Sequence, residues 1–315
     1  MISLKVLKRK FFTMYQEPKT LLIKPLMFFS PLIGDRLYLK CLFPLRLNYK
    51  LNLENPETYN EKLQWLKLYY RKPELTEMVD KYKSKKGISK LVGNEHIIPT
   101  LGVWNTFEEI NFEKLPNQFV LKTTHDQGGV IICKDKKLFD SENAKKKLNK
   151  HLKTEHYYLS REWPYKNIKP RIIAEKYMVD KSVGELVDYK FYCFDGEPEI
   201  MYISIGRQTD NVPLFFYDMN FNLLDIERPH HKPIRQDIKK PEQWELMKDL
   251  AKKLSRGLPH IRTDFYIVDS QVFVGELTLF QGGGLMPFIP QEWDYKFGSW
   301  IDLPYHLKTE ALKKQ

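Results

Sequence analysis

Cysteine is scarce in this chain of 315 residues, and its three copies, Cys41, Cys133 and Cys193, form no C-x-x-C pair. That excludes a disulfide framework and a zinc knuckle, and it suits a reducing cytoplasm. Cys133 and Cys193 lie inside apolar runs and are expected to be inert core residues. A long apolar run is missing as well. The most apolar stretch, Leu21 to Ile33, is broken by Lys24, Pro25 and Pro31, whereas a bilayer span takes about 20 apolar residues. Met1 to Lys10 is charged, with no uninterrupted apolar region behind it, so no secretory leader is expected. There is no Gly-x-x-x-x-Gly-Lys-Ser/Thr loop, no His-Arg-Asp triplet and no Asp-x-Asp. The first two absences remove the commonest phosphoryl-transfer templates. The third counts against a metal-dependent sugar-nucleotide transferase.

The charge that is present is uneven. Of the net +11, the first fifty residues hold +8, from ten basic side chains against Glu17 and Asp35. A nucleic-acid binder more often spreads positive charge over its folded domain, so no nucleic-acid partner is expected. A basic terminal segment carrying Leu26, Met27, Phe28 and Phe29 suits an anionic membrane surface, with packing on the protein's own surface as the plain alternative. The expected divisions are a basic amphipathic segment (1–50), a helical region with a small lobe (51–178), a larger lobe (179–302) and a tail (303–315).

From Asn55 a turn runs into a helix with Leu63, Leu66 and Tyr70 at helical spacing. A second helix is expected after Pro73 through Tyr82, with Gly87 beginning a break. Phe119 to Lys122 and Val130 to Cys133 read as strands of a hairpin whose loop, Thr123 to Gly129, carries glycines that let it approach a ligand closely. Residues 141–153 read as a basic helix, and 171–178 as a strand. Strands are expected at 189–194 and 200–205, a helix from Pro241 to Leu258, and strands at 260–268 and 272–277. Strands with helices at their flank make an α+β class.

The last hairpin is the most informative. Arg262, Asp264, Glu276 and Thr278 are polar residues in strands otherwise built of Phe, Tyr, Val and Ile. Period-two alternation puts Arg262 and Asp264 on one face, and antiparallel pairing around Asp269-Ser270 sets Asp264 nearly opposite Glu276. Opposed carboxylates repel unless a cation lies between them, so removing one should leave the metal-free fold unharmed or steadier. Magnesium suits such a pair. The plain alternative is a sheet salt bridge from Arg262. A glycine run follows at 282–284, with room for backbone amides to reach an anion.

These features, in this order and spacing, resemble the ATP-grasp superfamily: the strand FVLK at 119–122 with its glycine loop, AEKYM at 174–178, Arg262-x-Asp264, and Glu276-x-Thr278 before the glycines. More narrowly, NPETYNEKLQWLK at 55–67, DYKF at 188–191 and GELT at 275–278 resemble the TupA-like branch, associated with teichuronopeptide and other surface polysaccharides. The resemblance covers about residues 51–302 and implies an ATP-grasp fold of two α+β lobes with ATP and Mg2+ between them. It implies that Lys122 holds α/β-phosphate oxygens, with Lys81 as the first ATP-grasp lysine or a plain solvated one. The loop from His125 through Gly128 and Gly129 would cover the β/γ-phosphates. Glu175, Lys176, Tyr177 and Met178 would read the adenine, Glu175 taking the exocyclic amine. Glu185 or Asp188 would bind ribose, and Lys190, Gly282 and Gly283 would join the nucleotide site. Asp264 and Glu276 would hold magnesium. Thr278 departs from the family's asparagine, and its weaker hydroxyl bears on a second magnesium. Arg262 and Lys122 would be catalytic, Arg262 steadying the γ-phosphoryl group.

The implied reaction is carboxylate–amine ligation through an acyl phosphate, on a small-molecule or lipid-linked saccharide, in the cytoplasm or on the inner face of the membrane. The alternative is a glycosyltransferase of the same pathways. His230 and His231 are expected in a surface loop, and His125 is the histidine expected to face ligand or solvent.

Overall fold

Alternating apolar residues build two antiparallel sheets. A computed structural model describes residues 19–180, 184–205, 212–229 and 238–313; His230 and His231, and the first eighteen residues, lie outside them. Two helices open the described chain, α1 (Thr20–Phe28) and α2 (Asp35–Leu47), followed by α3 (Tyr59–Tyr69), α4 (Glu74–Val79) and α5 (Ser84–Val92). The start of α3 is a capping box. Thr58 accepts from the Glu61 amide and Glu61 accepts from the Thr58 amide, satisfying two donors that a helix start leaves open.

The helix expected from Pro73 through Tyr82 stops instead at Val79. Asp80 is extended and its carboxylate accepts from the amides of Tyr82 and Lys83, which starts a new turn. Gly87 does not begin a break; it sits inside α5. The break falls at Gly93, whose φ of 101° is costly for any other residue.

The smaller sheet has the order β1-β4-β2-β3, from β1 (Thr100–Trp104), β2 (Phe119–Thr123), β3 (Val130–Cys133) and β4 (Ile172–Lys176). Phe119 and Leu121 point into a core with Ala144 and Leu148 of α6 (Ser141–Leu152), so Val120 and Lys122 take the opposite face. A short helix, α7 (Tyr157–Ser160), leads back toward the first helices.

The larger sheet comprises β5 (Asp188–Phe194), β6 (Glu197–Ser204), β7 (Leu214–Asp218), β8 (Leu223–Leu224), β9 (His260–Val268) and β10 (Gln271–Thr278), in the order β10-β9-β5-β6-β7-β8. Its main cover is α8 (Trp244–Ser255), with Trp244, Met247, Leu250, Ala251 and Leu254 all buried on one helical face. Cys133 and Cys193 are buried and unpaired as expected, and burial pushes the Cys193 thiol up to about 12. Two C-terminal helices, α9 (Glu292–Ser299) and α10 (His306–Lys313), close against α3.

The two sheets meet along residues 95–98 and at Met178 and Leu186. Ile98, Met178, Tyr266, Val268 and Phe273 form a small apolar cluster joining them, and His96 Nδ1 lies 2.8 Å from the carbonyl of Val272. Among the described residues, no helix is long and apolar enough to cross a membrane.

Candidate functional site

Three lysines gather where the smaller sheet faces the larger one. Lys122 of β2 and Glu175 of β4 share a face, and Lys122 Nζ lies 2.6 Å from Glu175; Lys85 of α5 reaches the other carboxylate oxygen at 2.5 Å. Lys81 is docked by its amide to Thr124 O (3.1 Å) and by its Nζ to Asp126 O (2.5 Å). Arg171 holds Asp80, its neighbour, at 2.8 Å. Burial pulls the Lys81 and Lys85 ammonium groups below their ordinary values. Lys122 behaves differently: burial works against its charge, but Glu175 outweighs it and holds the pKa up. Glu276 of the larger sheet also acts on both Lys81 and Lys122. Lys81, Lys85, Gln127, Tyr165, Glu276 and Thr278 line one cleft; of the four residues expected to converge there, Glu276 is among its lining, while Lys122, Arg262 and Asp264 are not.

The hairpin itself has the expected register, Glu276 opposite Asp264 and Thr278 opposite Arg262. Its charges differ from the expectation. Asp264 is fully buried and accepts from Arg262 Nε and Nη2, each at 2.6 Å, and from Lys190. Arg262 Nη2 also lies 3.3 Å from Glu276 and 3.0 Å from Thr278 Oγ1. Two cations thus stand with the carboxylates, and the repulsion inferred from the sequence is absent. Burial opposes ionisation of Asp264, but Arg262 and Lys190 hold its carboxyl below the usual range. Lys190 also pairs with Asp188 at 3.0 Å. The ladder shifts between Val274 and Glu276, a bulge at Gly275, where a Cβ would come within 2.6 Å of the Tyr266 ring. A bulge there re-aims the Glu276 side chain, which is 43% exposed in the cleft.

Beyond β10 the chain turns through Gly282, Gly283 and Gly284 with φ of 55°, 65° and 60°. A polar stripe of α3 clamps this run. Asn60 Nδ2 donates to Met286 O (3.1 Å), Gln64 Nε2 to Gly284 O (2.6 Å), and Lys67 Nζ to Gly283 O (2.5 Å). Lys67 also donates to Gln64 Oε1 (2.9 Å) and Ser160 O (2.7 Å). Burial pulls the Lys67 ammonium down to about 7, yet only the ammonium form can donate to all three acceptors. A Cβ at Gly284 would meet Gln64 and Leu63 at 2.5 and 2.8 Å, so the glycines let the loop lie against the helix. Glu162, bonded to Ser160 Oγ at 2.7 Å, lies beside the same loop. Burial opposes its charge, while His156 and Lys67 hold it ionised.

A family profile described as TupA-like ATPgrasp matches residues 61–302. The chain belongs to that family. Its solved likenesses are looser. D-alanine–D-alanine ligase from Bacillus anthracis, complexed with ATP, is 18% identical over 64% of this chain and 53% of that one, at a TM-score of 0.37. L-amino acid ligase from Bacillus licheniformis is 13% identical over 72% and 50%, at 0.40. D-Alanine–D-alanine ligase from Helicobacter pylori is 17% identical over 77% and 69%, at 0.38. The chain thus spans about half the length of the two Bacillus ligases. A search of curated proteins returned no match.

In this TupA-like chain several expected ligands occupy unexpected places. His125 does not face solvent: it is 3% exposed, and Gln127 lines the cleft where His125 is expected. The loop is tied internally, with Asp126 bonded to Thr123 and His151, and a Cβ on Gly129 would fall 1.8 Å from Thr123 Oγ1. Gly128, at φ 94°, lies beside His151. The carboxylate of Glu175 is engaged by Lys85 and Lys122 rather than free for an exocyclic amine. The Lys176 amide bonds to Pro99 O at 3.0 Å, and Met178 is buried between the sheets. Tyr177 is half-buried beside it. Asp188 is fully buried against Lys190 and Ser204 Oγ, which removes it from a ribose site; Glu185 remains half-exposed. The Gly283 amide bonds to Phe280 O, so it is not turned to an anion, and Gly282 alone of the pair is exposed.

Sequence reasoning misses Lys85, which a run of lysines from 81 to 86 conceals, and also Gln64, Lys67, Glu162 and Tyr165. The only signal for Gln64 and Lys67 is their membership of the 55–67 motif.

Proposed function

We propose that this chain is an ATP-dependent carboxylate–amine ligase of cell-surface polysaccharide assembly, working in the cytoplasm on a small-molecule or lipid-linked saccharide. The observation that carries the reading is the excess of cationic groups at one cleft: Lys81 and Lys85 line it with Glu276 and Thr278, Lys122 stands behind Lys85 through the shared Glu175, and Arg262 stands behind Glu276 and Thr278. Glu175 and Glu276, with Asp264 shared between Arg262 and Lys190, neutralise only part of that charge, so a polyphosphate suits the site. Magnesium takes a few carboxylate oxygens and leaves the rest to phosphate, and the donor set fits it in part: Glu276 and Thr278 line the cleft and would hold it, whereas both oxygens of Asp264 are taken by Arg262 and Lys190.

Bound ATP would supply the phosphoryl group that turns the acid's carboxylate into an acyl phosphate, from which an amine displaces phosphate. The residues' own share is positioning and charge neutralisation. Lys122, fixed by Glu175, and Lys81, fixed by the loop, place positive charge at the phosphates. Arg262 offers a rigid planar donor where negative charge moves during transfer. The glycine run, held by α3, borders the side where the acid and amine would enter.

The test is incubation with ATP, magnesium and paired candidate sugar acids and amines. ADP released only when both substrates are present supports ligation. UDP released from a sugar nucleotide, with no ADP, would replace it with glycosyl transfer.

A further inference from the structure

Among the described residues, the α1–α2 hairpin carries an exposed apolar face. Leu21, Leu22, Phe28, Phe29, Leu32 and Leu37 are between 50% and 84% exposed, a concentration of large apolar side chains that isolated surface leucines do not explain. At about 100° per residue, those of α1 fall in one arc of roughly 120°, and the opposite arc carries Ile23 and Met27 into the hairpin's own core. Of the four side chains expected to insert together, Leu26 and Met27 instead pack inward, while Phe28 and Phe29 stay outside.

The rim of the face is positive: Lys24 and Lys40 are exposed, each about 60° around its helix from Leu21 and Leu37 respectively. Asp35, the acidic residue between 19 and 50, is turned inward to Arg71 (2.6 Å) and Arg161 (3.0 Å). Exposed apolar side chains ringed by unneutralised cations complement an anionic lipid surface, where cations meet headgroups and rings enter the acyl boundary. A second copy of this chain would bring two like-charged rims together, which disfavours it.

The hairpin also adjoins the glycine run. Buried Arg161 donates to the carbonyls of Ser30 (2.5 Å) and Ile33 (2.9 Å), gripping the turn between the helices. The carbonyl of its neighbour Ser160 accepts from Lys67, and Leu285, just past the glycine run, packs on the hairpin core. We infer that this face docks the protein on an anionic bilayer, with the hairpin that adjoins the glycine run turned to the membrane. The use of a lipid-linked acceptor rests on the ligase reading; the docking does not, and it is measured without turnover.

The experiment is co-sedimentation of the full chain with phosphatidylcholine vesicles, with and without phosphatidylglycerol, at low and high salt. The probes are Phe28→Glu with Leu32→Glu and, separately, Lys24→Glu with Lys40→Glu. All four positions are exposed, and circular dichroism and thermal melting verify the fold. The parent should partition onto the anionic vesicles and weaken with salt. Each pair should lose about tenfold or more, since one basic residue near such a surface contributes about fivefold. Parent protein that stays in the supernatant, or variants that pellet like the parent, would overturn the inference. So would a dimer in sedimentation velocity that Phe28→Glu with Leu32→Glu dissolves, because the face would then join two copies.

Discussion

Asp264 and Glu276 face each other across one ladder, yet removing them should have opposite consequences. Asp264 has no exposure and is the shared partner of Arg262 and Lys190. Asp264→Ala leaves two buried cations short of their counter-ion, which typically costs about 3–5 kcal/mol. Glu276 stands half-exposed in the cleft, so Glu276→Gln should change stability by no more than about 0.5 kcal/mol while abolishing ATP turnover. Urea denaturation and ADP release measure the two quantities. An Asp264→Ala protein as stable as its parent would contradict the ion-pair geometry, and an active Glu276→Gln protein would remove Glu276 from the site. Period-two alternation makes this hairpin legible in the sequence but not its register, since an unbroken ladder from the Asp269-Ser270 turn would set Asp264 against Gly275 and the bulge there brings Glu276 opposite instead. The arrangement of charge around Asp264 is not legible there, because Lys190 arrives from a strand 74 positions away.

Among the elements, α3 reaches furthest beyond its own packing. Asn60, Gln64 and Lys67 lie at i, i+4 and i+7 on one face and bond to the loop at Gly283, Gly284 and Met286. The chain is readable as a helix there, from its turn and its apolar spacing. Its purpose is not, since the partners are more than 200 positions away. The same limit explains β7: Leu-Phe-Phe-Tyr at 214–217 has no polar alternation to mark it, being largely buried within the larger sheet. The clamp can be tested at two of its donors. Lys67→Met strips a donor from three buried acceptors and should cost about 1–3 kcal/mol. Gln64→Glu replaces the donating amide beside the Gly283 and Gly284 carbonyls with an acceptor, which should loosen the loop. If the loop borders the entry of acid and amine, both variants should raise KM for those substrates while leaving the ATP KM close to the parent's. Equal loss for ATP and acceptor would reduce the clamp to general stability.

At the scale of the whole molecule, the two sheets are unequally supported. The larger rests on the main core with α3, α8 and α9, whereas the smaller has a compact core of its own around Phe119, Leu121 and Leu148. Between them lie the five-residue apolar cluster about Met178 and the short links at residues 95–98. Local opening generally begins where few apolar contacts resist it. Amides of β2 and β3 should therefore exchange hydrogen faster than those of β5, β6 and β9. The cleft gives this asymmetry a function, because Lys122 comes from the smaller sheet and Lys81 is tied to its 123–129 loop, while Lys85, on a helix packed into the main core, and Glu276 and Arg262 belong to the larger side. A ligand touching both sides adds stabilisation only while the lobes are together, by about 2.7 kcal/mol at a hundredfold excess over Kd. Adding ADP and magnesium should slow exchange in β2, in the 123–129 loop and around 81–85, with little change in α8. Lys122→Ala should erase most of that protection without altering the pattern of the free protein. Uniform exchange over both sheets, or protection by ADP confined to the larger sheet, would show that the nucleotide does not bridge them.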